Sequence, residues 1–319
     1  MRRLVARLCA AAAAGLLALA GAELAMRLRA GGFGPTTNPR YVVRDDELGW
    51  CYLQGARVRH AAPDFDVAVE IDMRGLRDAA PAPWGSRPIV ALGDSLCFGW
   101  GVEEHEAFPA RLEELCGAPV ENLGISGYGT DQELLFFRRL GAELRPRAVV
   151  VAVCGNDVEE AARTRAYGRA KPFFPLTGGS AGSVGGLGPC RPPEPESFLV
   201  RHSQLARSLA KAAAMRAARP LSPAEVEEGR ERVVLLLAEL ARLAAGGGGG
   251  LLACAAGEPW LAPALEARGI PFLDLEPALA EAARAGPVAF EHDPHWTARG
   301  HAAVAGALAE RLRADGLLR

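Results

Sequence analysis

Four short stretches bring together the residue types that a hydroxyl nucleophile requires, and each follows an apolar run or precedes a helix. They are Gly93-Asp94-Ser95, Asn122-Leu123-Gly124, Gly155-Asn156-Asp157 and Asp293-Pro294-His295. A serine hydroxyl is a weak nucleophile at neutral pH and needs an adjacent base. Of the six histidines, His60, His105, His202, His292, His295 and His301, only His295 has a carboxylate two residues before it and a helix start just after it. Asp293 there can hold the imidazole in the tautomer that accepts a proton from Ser95. Attack by Ser95 would create an oxyanion that wants donors aimed at it. The candidates are the Ser95 amide, the Gly124 amide and the Asn156 side-chain amide. On its own, Gly-Asp-Ser also suits an ordinary turn, so Ser95 is at this point either a nucleophile or a turn and cap residue.

The elements that must place these residues follow from apolar patterning. Residues 89–92 read as a short buried strand, and Gly93 permits a sharp turn after it. Residues 119–125, 147–154, 251–255 and 270–275 read as four further strands. Nearly continuous apolar runs are what a sheet covered on both faces requires. Helices are expected over 103–116, from a Thr130/Glu133 capping box, from a Ser222/Glu225 box to Ala245, between strands four and five, over 276–285, and over 298–313 after Thr297. This strand–helix alternation predicts a parallel sheet between two helix layers. Strand ends then lie on one rim, where open parallel sheets bind ligands. Residues 31–87, with an alternating stretch at 67–73 and a turn at Arg74-Gly75, predict a small β appendage. Residues 160–221 interrupt the alternation with Gly-, Ser- and Pro-rich sequence and one helix over 203–218, as a lid or binding loop does.

Composition narrows the classes. The 319 residues are enough for a full core, and a net charge of −2 supplies no basic field for nucleic acid. Only Lys171 and Lys211 are lysines, which reads as a compositional bias toward arginine. The seven cysteines form no Cys-x-x-Cys pair, which argues against structural zinc. Asp94 and Asp157 lack a histidine partner and read as turn, cap and helix-start residues, not as a metal pair. His301 and Trp296 read as packing, His292 as pointing away from Ser95, and Cys97 as buried. Trp100 and Tyr128 either wall the cleft or pack. At the N-terminus, Arg2 and Arg3 precede an apolar run over 8–26 that suits an export signal or an uncleaved anchor. The expected location is exported, periplasmic or cell-envelope, with membrane contact through that segment.

Taken together, the four stretches resemble the conserved blocks of the SGNH hydrolase, or GDSL esterase, family. The residues naming that family fall on Ser95, Gly124, Asn156 and His295, and the resemblance covers 88–157 and 288–310. It implies a flavodoxin-like three-layer α/β/α fold with a five-stranded parallel sheet, hydrolysis or transfer of an acyl ester, and no metal or organic cofactor. Ser95, His295 and Asp293 would form the catalytic triad, and Ser95, Gly124 and Asn156 the oxyanion hole. Gly99-Trp-Gly-Val and Gly127-Tyr-Gly-Thr-Asp-Gln look like a bacterial membrane-anchored branch. One departure stands out: the family's commoner spacing is Asp-x-x-His, whereas here Asp293 and His295 are separated by one residue, which leaves a Ser–His dyad as the alternative. The layout expected is a signal peptide or anchor over 1–29, a β-rich extension over 30–87 and the hydrolase domain over 88–319. Water as acceptor makes an esterase or deacylase acting on a small-molecule or carbohydrate acyl ester. A sugar hydroxyl makes an envelope O-acyltransferase, and loss of catalysis on the same fold would leave a carbohydrate-binding module.

Overall fold

The apolar runs alternate with amphipathic segments along the chain, and this alternation sets the layers. The computed structural model describes residues 2–29, 41–78, 81–83, 85–177, 186–217 and 219–318. Residues 30–40 of the extension and 178–185 of the long insertion lie outside the described residues. Helix α1 spans Arg2–Arg29. Two antiparallel hairpins follow, β1 (Val42–Asp45) with β2 (Gly49–Tyr52), and β3 (Arg57–Ala62) with β4 (Phe65–Glu70). The α/β alternation begins with β5 (Ile89–Gly93), α2 (Ser95–Phe98), α3 (Phe108–Cys116), β6 (Val120–Asn122), α4 (Thr130–Phe136), β7 (Ala148–Val153) and α5 (Asp157–Ala161). A short hairpin, β8 (Arg165–Ala166) and β9 (Arg169–Ala170), leads through α6 (Phe198–His202) and α7 (Gln204–Ala217) to α8 (Pro223–Gly246). The chain closes with β10 (Gly250–Ala255), α9 (Leu261–Glu266), β11 (Phe272–Asp274), α10 (Glu276–Ala283) and α11 (Ala298–Ala314).

The central sheet has five parallel strands in the order β11-β10-β7-β5-β6. Side chains alternate across a strand, so each strand feeds two cores. Val90, Leu92, Val149 and Val151 point to one face, against α4 and the buried Val233–Leu240 stretch of α8. Ile89, Ala91, Val150 and Leu252 point to the other, against Phe108 and Leu112 of α3 and Val304 and Leu308 of α11. The fold is therefore the expected three-layer α/β/α arrangement, with antiparallel strands added at the N-terminal side. β5 lies between β6 and β7, so the connections from β5 and β6 leave to opposite sides. That is the switch point where a crevice opens at the carboxyl ends of strands.

Two expectations about elements are corrected. Over 103–116 the helix is broken: Glu104–Glu106 forms one 3₁₀ turn and α3 starts at Phe108, because Pro109 belongs in a first turn. The Thr130/Glu133 capping box does not form. Thr130 Oγ1 instead donates to Asp157 Oδ1 at 2.9 Å, Gly129 takes the cap position, and Gln132 Oε1 accepts from its amide. The N-terminal antiparallel strands pack on the main core: Tyr41, Trp50 and Tyr52 are buried in the same core as Val90 and Leu92, and Gln132 Nε2 donates to the Leu48 carbonyl at 2.7 Å. The Ser222/Glu225 box does form, with each side chain meeting the other's backbone amide.

Lys171 pins the start of the long insertion. Its ammonium is fully buried, pairs with Asp131 on α4, and donates to the carbonyls of Glu160 and Pro172. Removing one partner of a buried pair leaves the other charge without compensation, at about 3–5 kcal/mol. Lys171→Met is expected to lower the unfolding free energy by that amount in urea titration, and adding Asp131→Asn to recover part of it. A single-variant loss below about 1 kcal/mol would mean that water reaches the pair.

Candidate active site

The cleft is built on the loops that leave β5, β6 and β7 and on one loop near the C-terminus. Asp94 follows β5 and caps α2, its Oδ1 accepting from the Leu96 amide at 2.9 Å. This sets Ser95 as the first residue of the helix, with its amide donating to no acceptor among the described residues. Residues 290–295 form a tight loop closed by the Phe290 amide on the His295 carbonyl and by an antiparallel bridge between Ala289 and Trp296. The β3–β4 turn buttresses that loop, because Asp64 accepts from both the backbone amide and the ring of His292 at 2.9 Å.

At this point Ser95 and His295, 200 residues apart, meet: Ser95 Oγ lies 2.7 Å from His295 Nε2. On the other side of the ring, Nδ1 is hydrogen-bonded to Asp293 Oδ1, which also accepts from the His295 amide at 3.0 Å. Ring and amide thus converge on one oxygen, and the loop's tight curvature lets the shorter Asp-x-His spacing reach. Burial works to raise the Asp293 carboxyl, but the hydrogen bonds from the His295 ring and amide, and from Trp100, outweigh it and hold the group below the ordinary carboxylate value. Trp100 is a wall of this site and not mere packing. Its Nε1 donates to Asp293 Oδ2 at 3.3 Å, and its ring stacks on His295 with centroids 5.5 Å apart.

Asn156 reaches the same rim from the end of β7. Its Nδ2 is 3.2 Å from Asp94 Oδ2, 3.0 Å from Glu160 Oε1 and 3.4 Å from the Tyr167 hydroxyl. Gly124 requires a correction. Its amide does not face the cleft; it donates to Asn122 Oδ1 at 2.9 Å, and its missing side chain makes room for α2, since a Cβ would lie 2.4 Å from the Phe98 nitrogen. The glycine with an uncommitted amide on this loop is Gly127. It has φ +77°, is half-buried, and its amide donates to no acceptor among the described residues. The Tyr167 ring covers it, at 2.8 Å from where a Cβ would stand. The signal for Gly127 was present as a second glycine further along the loop after β6. Nothing in the spacing marked Tyr167 or Glu160.

The remaining candidates have structural places. His301 is fully buried, accepts from the Phe108 amide at 3.2 Å, and burial together with Arg77 pushes its pKa down to about 3. Tyr128 is buried and donates to the Trp50 carbonyl. Trp296 and Cys97 are buried, and burial raises the Cys97 thiol well above its usual value. Asp157 accepts from the Cys154 and Thr130 amides and the Thr130 hydroxyl, so its oxygens are taken up.

A model of the GDSL-like lipase/acylhydrolase family matches residues 91–303. The chain belongs to that family. It is accordingly an ester-hydrolysing enzyme. No curated protein matches the sequence. Among solved structures, a lipolytic protein of the G-D-S-L family from Veillonella parvula is 12% identical, with 70% of this chain and 96% of that chain covered and a TM-score of 0.39. LAE5, an α/β hydrolase enzyme from the metagenome of Lake Arreo in Spain, is 17% identical, covering 74% and 97% with a TM-score of 0.43. TesA is 15% identical, covering 72% and 99% with a TM-score of 0.43.

Behind the cleft this GDSL-family chain packs several carboxyl groups. Burial and the neighbouring Asp157 push the Glu160 carboxyl up to about 8, and burial with Asp94 pushes Asp157 up to about 7. Glu133 is also raised, by burial and by Asp157, and its oxygens have no hydrogen-bond partner among the described residues. An acid whose folded pKa is raised favours the fold fully below its ordinary pKa, 4.5 for Glu160, and that contribution is lost as pH rises through about 8. The protein is therefore expected to lose Tm between about pH 5 and 8, and Glu160→Gln to flatten that fall. Equal slopes in thermal melts of the two proteins would show that Glu160 is not the titrating group.

Proposed function

We propose that the cleft hydrolyses an acyl ester through a Ser95–His295–Asp293 triad. The observation that carries this reading is the 2.7 Å contact between Ser95 Oγ and His295 Nε2, with Asp293 on the opposite ring nitrogen. Ser95 Oγ attacks the acyl carbon as its proton passes to Nε2. Asp293 fixes the tautomer that leaves Nε2 free to accept and stabilises the imidazolium that results. The tetrahedral intermediate expels the alcohol, which takes the proton from His295. Water, deprotonated by the same nitrogen, then releases the acid and restores Ser95. The hydrogen bond between the His295 ring and Asp293 supports the triad over the dyad, in which a carbonyl would orient the ring.

The oxyanion formed in each half-reaction needs donors. We assign them to the amides of Ser95 and Gly127 and to Asn156 Nδ2, with Gly127 in place of Gly124 because the Gly124 amide is committed to Asn122. One Asn156 N–H stays on Asp94, and the other turns from Glu160 to the substrate oxygen. Tyr167, over Gly127 and beside Asn156, borders this donor set.

The surrounding chain is read as an anchor over 1–29, a β-rich extension over 30–87 and the hydrolase domain over 88–319, with 160–221 as an insertion bordering the cleft. Helix α1 is apolar and long enough to cross a membrane, and none of its apolar window is buried in the protein. We place the enzyme in the cell envelope, acting on acyl esters there.

Ser95→Ala is expected to reduce p-nitrophenyl acetate turnover to background with the thermal melt unchanged; retained turnover would remove Ser95 from the chemistry. Asn156→Ala is expected to lower kcat by about 10²–10³, as loss of one oxyanion donor does. A loss below threefold would mean that Asn156 does not face the oxyanion.

A further inference from the structure

Helices α6 and α7 are weakly supported by the rest of the described protein. Neither has a buried residue. Phe198, Leu199, Leu209 and Met215 are 75%, 69%, 62% and 64% exposed. Helices of 5 and 14 residues are marginal in water without a face packed against something. Their chemistry is one-sided as well. Residues 197–224 contain no Asp or Glu, while α6 and α7 carry Arg201, Arg207, Lys211 and Arg216. Apolar side chains beside cations, with no acid, is the pattern of a helix that lies in a membrane interface.

Their attachment points to the same surface. Glu23, near the end of α1, accepts from Ser203 Oγ at 2.8 Å and from the amides of Gln204 and Leu205 at 3.0 and 2.9 Å. Arg27, one turn later, pairs with Glu23 and donates to the His202 carbonyl. The stretch between Arg7 and Arg27 is 19 residues, 8–26, apolar but for Glu23 near its end. At 1.5 Å per residue that is roughly 29 Å, close to the hydrocarbon thickness of about 30 Å. The α6–α7 junction is therefore tied to α1 where α1 leaves the bilayer.

We infer that α6 and α7 form a foot that lies on an anionic lipid surface, with Phe198, Leu199 and Leu209 in the lipid boundary and the exposed Arg201 and Arg216 on lipid headgroups. The inference rests on reading α1 as an uncleaved anchor. It bears on the cleft, because Gly168, at the turn that carries Tyr167, packs on Lys211 of α7; a Cβ there would stand 2.8 Å from Lys211 Cγ. Lipid contact would hold the Tyr167 hairpin against Gly127 and turn the cleft toward acyl esters at the bilayer surface.

The test is amide hydrogen exchange of the full chain in nanodiscs of phosphatidylcholine alone and of phosphatidylcholine with one quarter phosphatidylglycerol. In the anionic discs, amides of 198–217 are expected to exchange at least tenfold more slowly than in the Phe198→Ser/Leu199→Ser/Leu209→Ser variant. The neutral discs should give a smaller difference. An unchanged thermal melt of the variant checks its fold, and α1 should be protected throughout. Free exchange of 198–217 with α1 protected would overturn the foot and leave the anchor standing. Protection that ignores both lipid charge and the serine substitutions would overturn it too, as would protection that appears only with two chains per disc, which assigns the face to a second copy. Free exchange of α1 itself would bring down the anchor and the foot together.

Discussion

The Asp94 carboxylate ties together the two central strand ends. One oxygen accepts from the Leu96 amide and the Cys154 thiol, and the other accepts from Asn156 Nδ2. Ser95 begins a helix because its neighbour caps it, and Asn156 holds its place because the same group anchors its amide. β5 and β7 are themselves fixed by a parallel register that pairs Gly93 with Ala152. A serine and an asparagine 61 positions apart thus share one support. The loop bearing His295 comes from elsewhere, and it is braced separately by Asp64 and the β3–β4 turn.

That economy creates an electrostatic problem. Asp94, Asp157, Glu160 and Glu133 crowd behind the place where an oxyanion would form, and a cluster of full negative charges there would oppose it. Burial answers the problem by favouring the protonated acids: Glu160 is driven to about 8, Asp157 to about 7, and Glu133 well above the usual carboxyl range. Hydrogen bonds pull in the other direction at Asp293, which in the proposed triad stays ionised to orient His295. The site thereby separates two kinds of carboxyl group with one backbone.

The sheet and the meeting of Ser95, Asn156, Asp293 and His295 were legible in the sequence, because strand periodicity and short motifs are local signals that the fold leaves intact. What could not be read is what tertiary partners decide. Thr130 and Glu133 have the spacing of a capping box, but Asp157 takes the threonine hydroxyl and the glutamate is buried behind the cleft. Gly124 and Gly127 are both small residues after one strand; only the packing of Cys97 and Phe98 shows that the first serves the core. Tyr167 comes from a hairpin within a stretch whose composition reads as loop, at φ +51°, a backbone setting no pattern announces. The extension likewise reads as an appendage, because nothing local reveals that Tyr41 and Trp50 finish the main core.

The near absence of lysine has a practical corollary. Arginine does not react with common amine reagents, so the side-chain targets are two. Lys171 is sealed inside the protein against Asp131, whereas Lys211 stands in the open on α7 beside the turn that carries Tyr167. Apart from the amino terminus, an amine-directed dye has one address on the folded chain, and that address adjoins the mouth of the cleft. The natural sequence thus offers a built-in spectroscopic reporter there, with no residue engineered.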